Sequence, residues 1–198
     1  PDMTLNEISC RIVNGSPPLS TVLPSPNTST TVFSMIRIVL FLFALLISTP
    51  PALAAKTILI MGDSLSAGFG LRVEQAWPSL LGRLLREKHP DYSVANLSIS
   101  GETTAGGRSR FSQALREYKP NIVVIALGAN DGLRGLPIQS MSQNLNNMIV
   151  LGKKSKAKIL LVGMKIPPNY GPKYTALFSQ TYLKLSQQHK VALVPFML

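Results

Sequence analysis

Two spacings of apolar residues alternate along residues 56–198. Short runs rich in branched apolar side chains have the length and composition of buried strands. Five such runs lie at residues 57–61, 92–99, 122–127, 159–164 and 191–195. Between them, apolar residues recur every three or four positions, as in helices with one apolar face. These helices are predicted at residues 77–89, 108–118, 140–153 and 174–189.

Strand and helix therefore alternate throughout this region. The alternation predicts a parallel sheet with right-handed crossovers and helices on both faces. We expect one doubly wound α/β domain over residues 55–198, with a five-stranded, flavodoxin-like sheet. Such a sheet needs a further helix after its fifth strand to cover the remaining apolar face. The sequence ends at Leu198, directly after that strand, so we expect the final helix to be missing from it.

Residues 35–54 have the three parts of a secretory signal peptide. Arg37 precedes ten consecutive apolar residues at 38–47, and a small-x-small pattern follows at 52–55. An apolar run of this length is about half of the roughly 20 residues that cross a bilayer, so a stable membrane anchor is disfavoured. We expect a periplasmic or secreted protein. Residues 1–34, rich in Ser, Thr, Pro and Asn, are predicted to be disordered and to lie upstream of the true start.

Charge and cysteine content narrow the possible partners. Two acidic and two basic residues cancel within residues 1–55, so the whole net charge of +11 lies on residues 56–198. The basic residues are scattered along predicted helices, which favours a solvated surface over a nucleic-acid site and leaves attraction to anionic lipids or substrates open. Cys10 is the only cysteine. A disulfide, a thiolate catalyst and a cysteine metal site are therefore excluded from the predicted domain, and we expect no metal or cofactor.

Three candidate site residues follow predicted strands. Ser64 comes after the first strand, Gly101 after the second and Asn130 after the third. Each has a plain alternative, because Gly, Ser, Asn and Asp are common in turns and helix caps. In open α/β sheets, however, ligands bind beyond the carboxyl ends of the strands. A hydroxyl, an approachable backbone N–H and a side-chain amide at that edge are the parts of an acyl-transfer site with an oxyanion hole.

The strings around these residues resemble the SGNH (GDSL) hydrolase family, specifically its bacterial thioesterase I, arylesterase and lysophospholipase branch. The resemblance covers residues 57–198 and keeps the family's order of motifs. The matching strings are GDSLS at 62–66, SISGETT at 98–104, LGANDGLRGLP at 127–137 and IPPNYGPKY at 166–174.

The resemblance implies roles for the candidate residues. Ser64 would be the nucleophile, and the oxyanion hole would comprise the N–H groups of Ser64 and Gly101 and the side chain of Asn130. Four residues would border an acyl-chain groove, with core or loop packing as the alternative for each: Leu133, Leu136, Ile166 and Pro167.

The two histidines of the chain are poor candidates for the base that a serine nucleophile needs. His89 and His189 end predicted helices, on the side of the sheet away from the strand ends, where a cation favours the helix dipole. The family's Asp-x-x-His block follows the fifth strand, so we expect it to lie beyond Leu198 and the chain as written to have little activity.

The predicted substrate is a small-molecule acyl ester or thioester, with lysophospholipids among the candidates, and the predicted protein is a monomer. Two alternatives stay open at this point. One is a carbohydrate O-acetylesterase on the same fold. The other is a non-catalytic, flavodoxin-like domain that binds phosphate with the loop at residues 64–68, although this loop lacks the dense Ser/Thr-Gly pattern of a phosphate cradle.

Overall fold

The structure, a computed structural model, describes residues 33–37 and 56–197. Residues 33–37 are helical and exposed. The rest of the predicted disordered segment and the rest of the predicted signal peptide lie outside the described residues. Within the described part of the chain, no helix combines the length and the apolar character needed to span a bilayer.

Five parallel strands form one sheet in the spatial order β2-β1-β3-β4-β5. The strands are Lys56–Gly62 (β1), Tyr92–Asn96 (β2), Ile122–Ala126 (β3), Lys158–Val162 (β4) and Ala192–Val194 (β5). The chain leaves β1 towards one side of the sheet and, after β2, returns to the other side. This reversal places a topological switch point between β1 and β3, where α/β sheets of this kind bind ligands. The predicted doubly wound, five-stranded parallel sheet is confirmed.

Within residues 56–197, six α-helices accompany the sheet. They are Ser64–Ala67 (α1), Trp77–Lys88 (α2), Thr104–Tyr118 (α3), Ala129–Leu133 (α4), Ile138–Lys154 (α5) and Pro172–His189 (α6). The crossover from β1 to β2 runs opposite to the later three, so right-handedness places α2 on one face of the sheet and the three longest helices on the other. Contacts of α3 with α5 and of α5 with α6 agree with this arrangement.

The core lies on both faces of β1 and β3. The paired residues Leu59 and Val123 lie on one face and are 0% exposed, and the next pair, Ile60 and Val124, lies on the other face and is 0% and 4% exposed. Burial on both faces explains why these strands read as unbroken apolar runs. The edge strands β2 and β5 contain no fully buried residue.

The helix α3 starts four residues earlier than the sequence predicted, at Thr104 rather than at residue 108. Two glycines in its first turn, at 106 and 107, lower the intrinsic helix preference, which hides the true start. The Thr103 side chain caps this turn by accepting a hydrogen bond from the N–H of Gly106 at 3.4 Å. A Cβ atom at Gly107 would lie 2.3 Å from Cδ1 of Leu127, so a larger residue would overpack the contact between this helix and the sheet.

Other predicted boundaries shift by a few residues. The second predicted strand ends at Asn96 rather than at 99, because the chain turns there towards the loop that carries Gly101. The helices α5 and α6 begin at Ile138 and Pro172, each two residues before its predicted start, since proline is tolerated at or just before a first helical turn.

Candidate active site

Three loops with candidate chemistry follow three adjacent strands. The strand β1 lies between β2 and β3, and Ser64 follows it at the start of α1. Gly101 lies in the loop after β2, and Asn130 lies in α4, directly after β3. Because all strands are parallel, their carboxyl ends share one edge of the sheet. Ser64 thus comes from the middle strand of the three, with the other two candidates on either side.

The helix α1 presents Ser64 as its first residue. Asp63 caps this helix: its Oδ1 atom accepts the N–H of Leu65 at 3.1 Å, and its carbonyl accepts the N–H groups of Ser66 and Ala67. The N–H of a first helical residue has no acceptor within the helix. The Ser64 N–H therefore suits the binding of a ligand oxygen.

The Asp63 carboxyl group is fully buried. Its Oδ2 atom has no hydrogen-bond partner among the described residues. Burial raises the pKa of Asp63 above its ordinary value, and the nearby carboxylates of Asp131 and Glu102 raise this pKa further. A buried carboxyl group with one unpartnered oxygen is less costly when it carries a proton.

A second network of hydrogen bonds holds the segment that carries Ser64. Ser66 is fully buried, and its Oγ accepts from Nε1 of Trp77 at 3.3 Å. The side chain of Asn96 donates to the Ser66 carbonyl at 2.8 Å. These bonds connect α1 to the start of α2 and to the end of β2. Sequence reasoning missed both partners, although the indole N–H of a tryptophan generally needs a hydrogen-bond partner when it is buried.

The loop after β2 has a left-handed residue and two anchors. Gly101 has φ +79°, a region that side-chain-bearing residues rarely adopt, and its carbonyl accepts from Nη2 of Arg134 at 2.8 Å. The next residue, Glu102, forms an ion pair with Arg110. Arg110 in turn donates to the carbonyl of Leu97 at 2.6 Å. The loop is thus held to α3 and to the segment after β2.

The third candidate lies in a short helix that the sequence did not predict. Asn130 is the second residue of α4, and its Nδ2 donates to the Glu102 carbonyl at 3.0 Å. A side-chain amide carries two N–H bonds, so one remains for a ligand. Asp131 is 3% exposed and accepts from both the backbone N–H and the hydroxyl of Thr104. No local sequence pattern predicts this pair.

The four predicted groove residues differ in exposure. Leu133 and Leu136 are 47% and 37% exposed, and Pro167 is also exposed. Ile166 is 8% exposed and packs in the hydrophobic core, which favours the packing alternative at this position. The 133–136 segment is tied down by two tyrosines, because Tyr170 and Tyr174 donate to the carbonyls of Leu133 and Leu136, each at 2.8 Å.

Further apolar side chains are exposed in the same strand-end loops. Leu65 follows the candidate nucleophile and Ile99 precedes Gly101, and they are 38% and 50% exposed. In the loop after α1, Phe69 is 79% exposed. Contiguous exposed apolar surface on a protein commonly marks a binding site. This edge of the sheet therefore combines polar groups with apolar surface.

Both histidines lie at the opposite edge. His89 caps the end of α2, and His189 is the last residue of α6, and helices of this fold end where the strands begin. The Nε2 atom of His189 lies 2.7 Å from Oδ1 of Asn146. Within residues 33–37 and 56–197, no three His, Cys, Asp or Glu side chains cluster as metal ligands would.

Comparison with known proteins relates this chain to a family. The model of the GDSL-like lipase/acylhydrolase family matches residues 60–198. Esterase TesA of Pseudomonas aeruginosa is 48% identical over 155 residues, which cover 78% of this chain and 77% of that protein. The arylesterase of Vibrio mimicus is 46% identical, covering 73% of this chain and 72% of that protein. Thioesterase 1/protease 1/lysophospholipase L1 of Escherichia coli K12 is 42% identical, covering 79% of this chain and 73% of that protein.

Solved structures agree with these relatives. The crystal structure of TesA superposes with a TM-score of 0.69 at 48% identity, covering 71% of this chain and 78% of that one. The esterase EstA of Pseudoalteromonas, inhibited by monoethylphosphonate, superposes with a TM-score of 0.68 at 39% identity, covering 72% and 77%. The motifs, the strand order and these similarities agree. The chain belongs to the GDSL-like lipase/acylhydrolase family.

Proposed function

We propose that this protein hydrolyses acyl esters and thioesters through an acyl-enzyme on Ser64. Hydrolysis of such bonds is the activity of its family. The observation that supports the assignment to Ser64 is the order of three adjacent strands, since the strand that leads to Ser64 lies between the strands that lead to Gly101 and to Asn130. The hydrogen bond from Asn130 to the Glu102 carbonyl joins the two flanking loops directly.

The proposed reaction has two steps. The Ser64 Oγ attacks the substrate carbonyl, its proton passes to a general base, and the leaving group departs to give an acyl-enzyme. Water, activated by the same base, then hydrolyses the acyl-enzyme. In both steps the negative oxygen would be bound by the N–H groups of Ser64 and Gly101 and by the amide of Asn130. Losing one such donor typically raises the barrier by about 3–4 kcal/mol.

The base is proposed to come from the segment after β5. Neither His89 nor His189 lies at the edge of the sheet that carries Ser64, whereas a segment that leaves a parallel β5 emerges at this edge. Three strand spacings separate β1 from β5, so the two strands lie about 14 Å apart. A short loop after β5 can span that distance. The family resemblance implies an Asp-x-x-His segment there, in which the aspartate orients the histidine.

The exposed apolar side chains favour an acyl chain over an acetyl group. Leu133 and Leu136 follow Asn130 by three and six residues, Leu65 and Ile99 lie in the loops after β1 and β2, and all four side chains are exposed. Each buried methylene contributes about 0.8 kcal/mol, so medium or long acyl esters, lysophospholipids among them, are the proposed substrates. A carbohydrate O-acetylesterase would gain nothing from these side chains.

The proposal includes a location and an assembly state. An apolar run between Arg37 and a set of small residues supports a cleaved signal peptide at residues 35–54. The mature protein would then be periplasmic or secreted and would act as a monomer. Envelope lipids are more natural substrates at that location than cytosolic acyl-CoA.

The test uses the product of the complete reading frame, incubated with a fluorophosphonate probe and with p-nitrophenyl octanoate. The wild-type protein and the Ser109→Ala variant, which changes an exposed hydroxyl on α3, should be labelled and active. The Ser64→Ala variant should lose both labelling and turnover. Retained labelling or turnover in the Ser64→Ala variant would contradict the proposed nucleophile.

Turnover of acetyl and octanoyl esters separates the two substrate classes. A higher kcat/KM for the octanoyl ester supports the lipid-type substrate. A preference for the acetyl ester supports the O-acetylesterase alternative instead.

A further inference from the structure

A buried carboxylate lies directly behind the proposed oxyanion hole. Asp131 is 3% exposed and follows Asn130 in α4. Its Oδ2 atom accepts the backbone N–H of Thr104 at 2.8 Å, and its Oδ1 atom accepts the Thr104 hydroxyl at 2.6 Å. Both oxygens of one carboxylate therefore bind both donors of one residue. Bonds of this charge-assisted kind are roughly twice as strong as neutral ones and fix relative geometry.

The Thr104 hydroxyl is constrained on its other side as well. Asn144 of α5 donates to the same oxygen at 3.1 Å, so the hydroxyl proton must point to Asp131. Thr104 is fully buried and is the first residue of α3, where the helix dipole favours a nearby negative charge. The arrangement joins the starts of α3 and α4 to the middle of α5.

These contacts link the two loops that flank Ser64. Thr104 lies three residues after Gly101, and Asp131 is the neighbour of Asn130. The hydrogen bond from Asn130 to the Glu102 carbonyl joins the same loops nearer the surface. One cross-link therefore lies at the site and the other lies beneath it, in the buried interior.

We propose that Asp131 is a positioning residue of the oxyanion hole. Its carboxylate, bound to Thr104, sets the distance between the Gly101 N–H and the Asn130 amide. This inference rests on the proposed function, because it assigns those two groups to the oxyanion. Donors that bind a developing negative charge accelerate a reaction only when they are already in place. A shift of about 1 Å in such a group can lower the rate about a hundredfold.

The chemistry of the pair decides which variants are informative. The Asp131→Asn change keeps the size of the side chain but replaces one acceptor oxygen by an NH₂ group. That group would face either the N–H of Thr104 or a hydroxyl oxygen that already accepts from Asn144. Thr104→Val removes the hydroxyl and keeps the backbone donor. Thr104→Ser keeps both donors and should restore the wild-type geometry.

The experiment compares kcat and KM on p-nitrophenyl acetate in the product of the complete reading frame, well below each variant's unfolding midpoint. The Asp131→Asn and Thr104→Val changes should lower kcat by roughly ten- to a hundredfold, with little change in KM. Thr104→Ser should be close to the wild type. The control is Ile149→Ala, at a fully buried position of α5, which should lower stability but leave kcat unchanged.

A double-mutant cycle separates positioning from a general structural effect. In the Asn130→Ala background, the Asp131→Asn change should lower kcat by a much smaller factor, because one of the two aligned donors is already gone. Equal factors in both backgrounds would overturn the inference. A wild-type kcat in Asp131→Asn or in Thr104→Val would also overturn it. If Asp131→Asn does not fold, Thr104→Val and its serine rescue decide the matter.

Failure of the proposed function would look different. Full turnover by Ser64→Ala would exclude Ser64 as the nucleophile. The assignment of the oxyanion hole, which depends on that role, would then fail as well. Loss of turnover in Ser64→Ala together with wild-type kcat in the Asp131 and Thr104 variants would overturn the positioning role alone.

Discussion

The side-chain amide of Asn130 donates to the backbone carbonyl of Glu102 across 3.0 Å. This bond spans the carboxyl end of β1, because the two residues follow the strands on either side of it. Glu102 is itself held by Arg110, so the amide is oriented by a loop that is fixed at its other side. The bond fixes the orientation of the amide whose second N–H is proposed to bind the oxyanion.

The Asn130→Ala change tests this preparation. It should lower kcat by about 10²- to 10³-fold, as loss of one oxyanion donor does, while the lost bond to Glu102 should lower the free energy of unfolding by only about 1 kcal/mol. Steady-state kinetics and urea unfolding measure the two effects separately. A kcat like that of the wild type would exclude Asn130 from the oxyanion hole.

Close approach of α3 to the sheet gives a prediction about stability. In Gly107→Ala, the new methyl group would lie 2.3 Å from Cδ1 of the buried Leu127, and such overpacking typically costs about 1–3 kcal/mol. Urea unfolding should show this loss.

Gly82→Ala in α2 is the matched control. The atoms nearest to its new methyl group lie at 3.7 Å and beyond, which is ordinary contact. The change should be neutral or should stabilise the protein by up to about 1 kcal/mol through helix preference. Equal effects of the two substitutions would mean that the contact with Leu127 relaxes without cost.

The sheet could be predicted from the sequence because β1 and β3 are buried on both faces. Their apolar composition alone therefore identifies them as strands. The sequence was also sufficient for the family, through four strings in a fixed order. It failed at α1 and α4, since helices of four and five residues show no apolar period, and Asn-Asp-Gly is equally typical of a turn. The Asp131–Thr104 pair joins residues 27 positions apart, and no local pattern encodes such a contact.

Exposed leucines in the 133–136 segment lead to a prediction about specificity. Leu136 is 37% exposed, and its carbonyl is held by Tyr174, so its side chain can change while the backbone stays in place. Leu136→Asp should lower kcat/KM for an octanoyl ester by about tenfold or more, since several methylenes lose their apolar contact at about 0.8 kcal/mol each. The acetyl ester should be affected much less.

Val150→Asp, on the exposed side of α5, provides the control for a new surface carboxylate. It should leave the ratio of octanoyl to acetyl activity unchanged. An equal loss on both esters in Leu136→Asp would exclude this residue from the acyl groove.

The buried carboxyl group of Asp63 makes the stability of the fold depend on pH. Its ordinary pKa is 3.8, and burial raises the pKa in the folded protein. The folded state therefore holds this proton more tightly than the unfolded state. The stabilising contribution is fully present below about pH 3.8 and is lost as the pH rises through the folded-state pKa. Asp63→Asn keeps a good helix cap and removes the titration, so the variant should gain stability relative to the wild type across that range.

Asp91 provides the opposite case in the same experiment. Its pKa is lowered by the hydrogen bond and the charge of Lys56, so its contribution is present above the ordinary value of 3.8 and is lost as the pH falls. Asp91→Asn should therefore lose stability relative to the wild type at neutral pH and approach it in acid. Urea unfolding of both variants and the wild type between about pH 3 and about pH 8 measures these differences. Slopes of the same sign for the two variants would show that burial does not raise the pKa of Asp63.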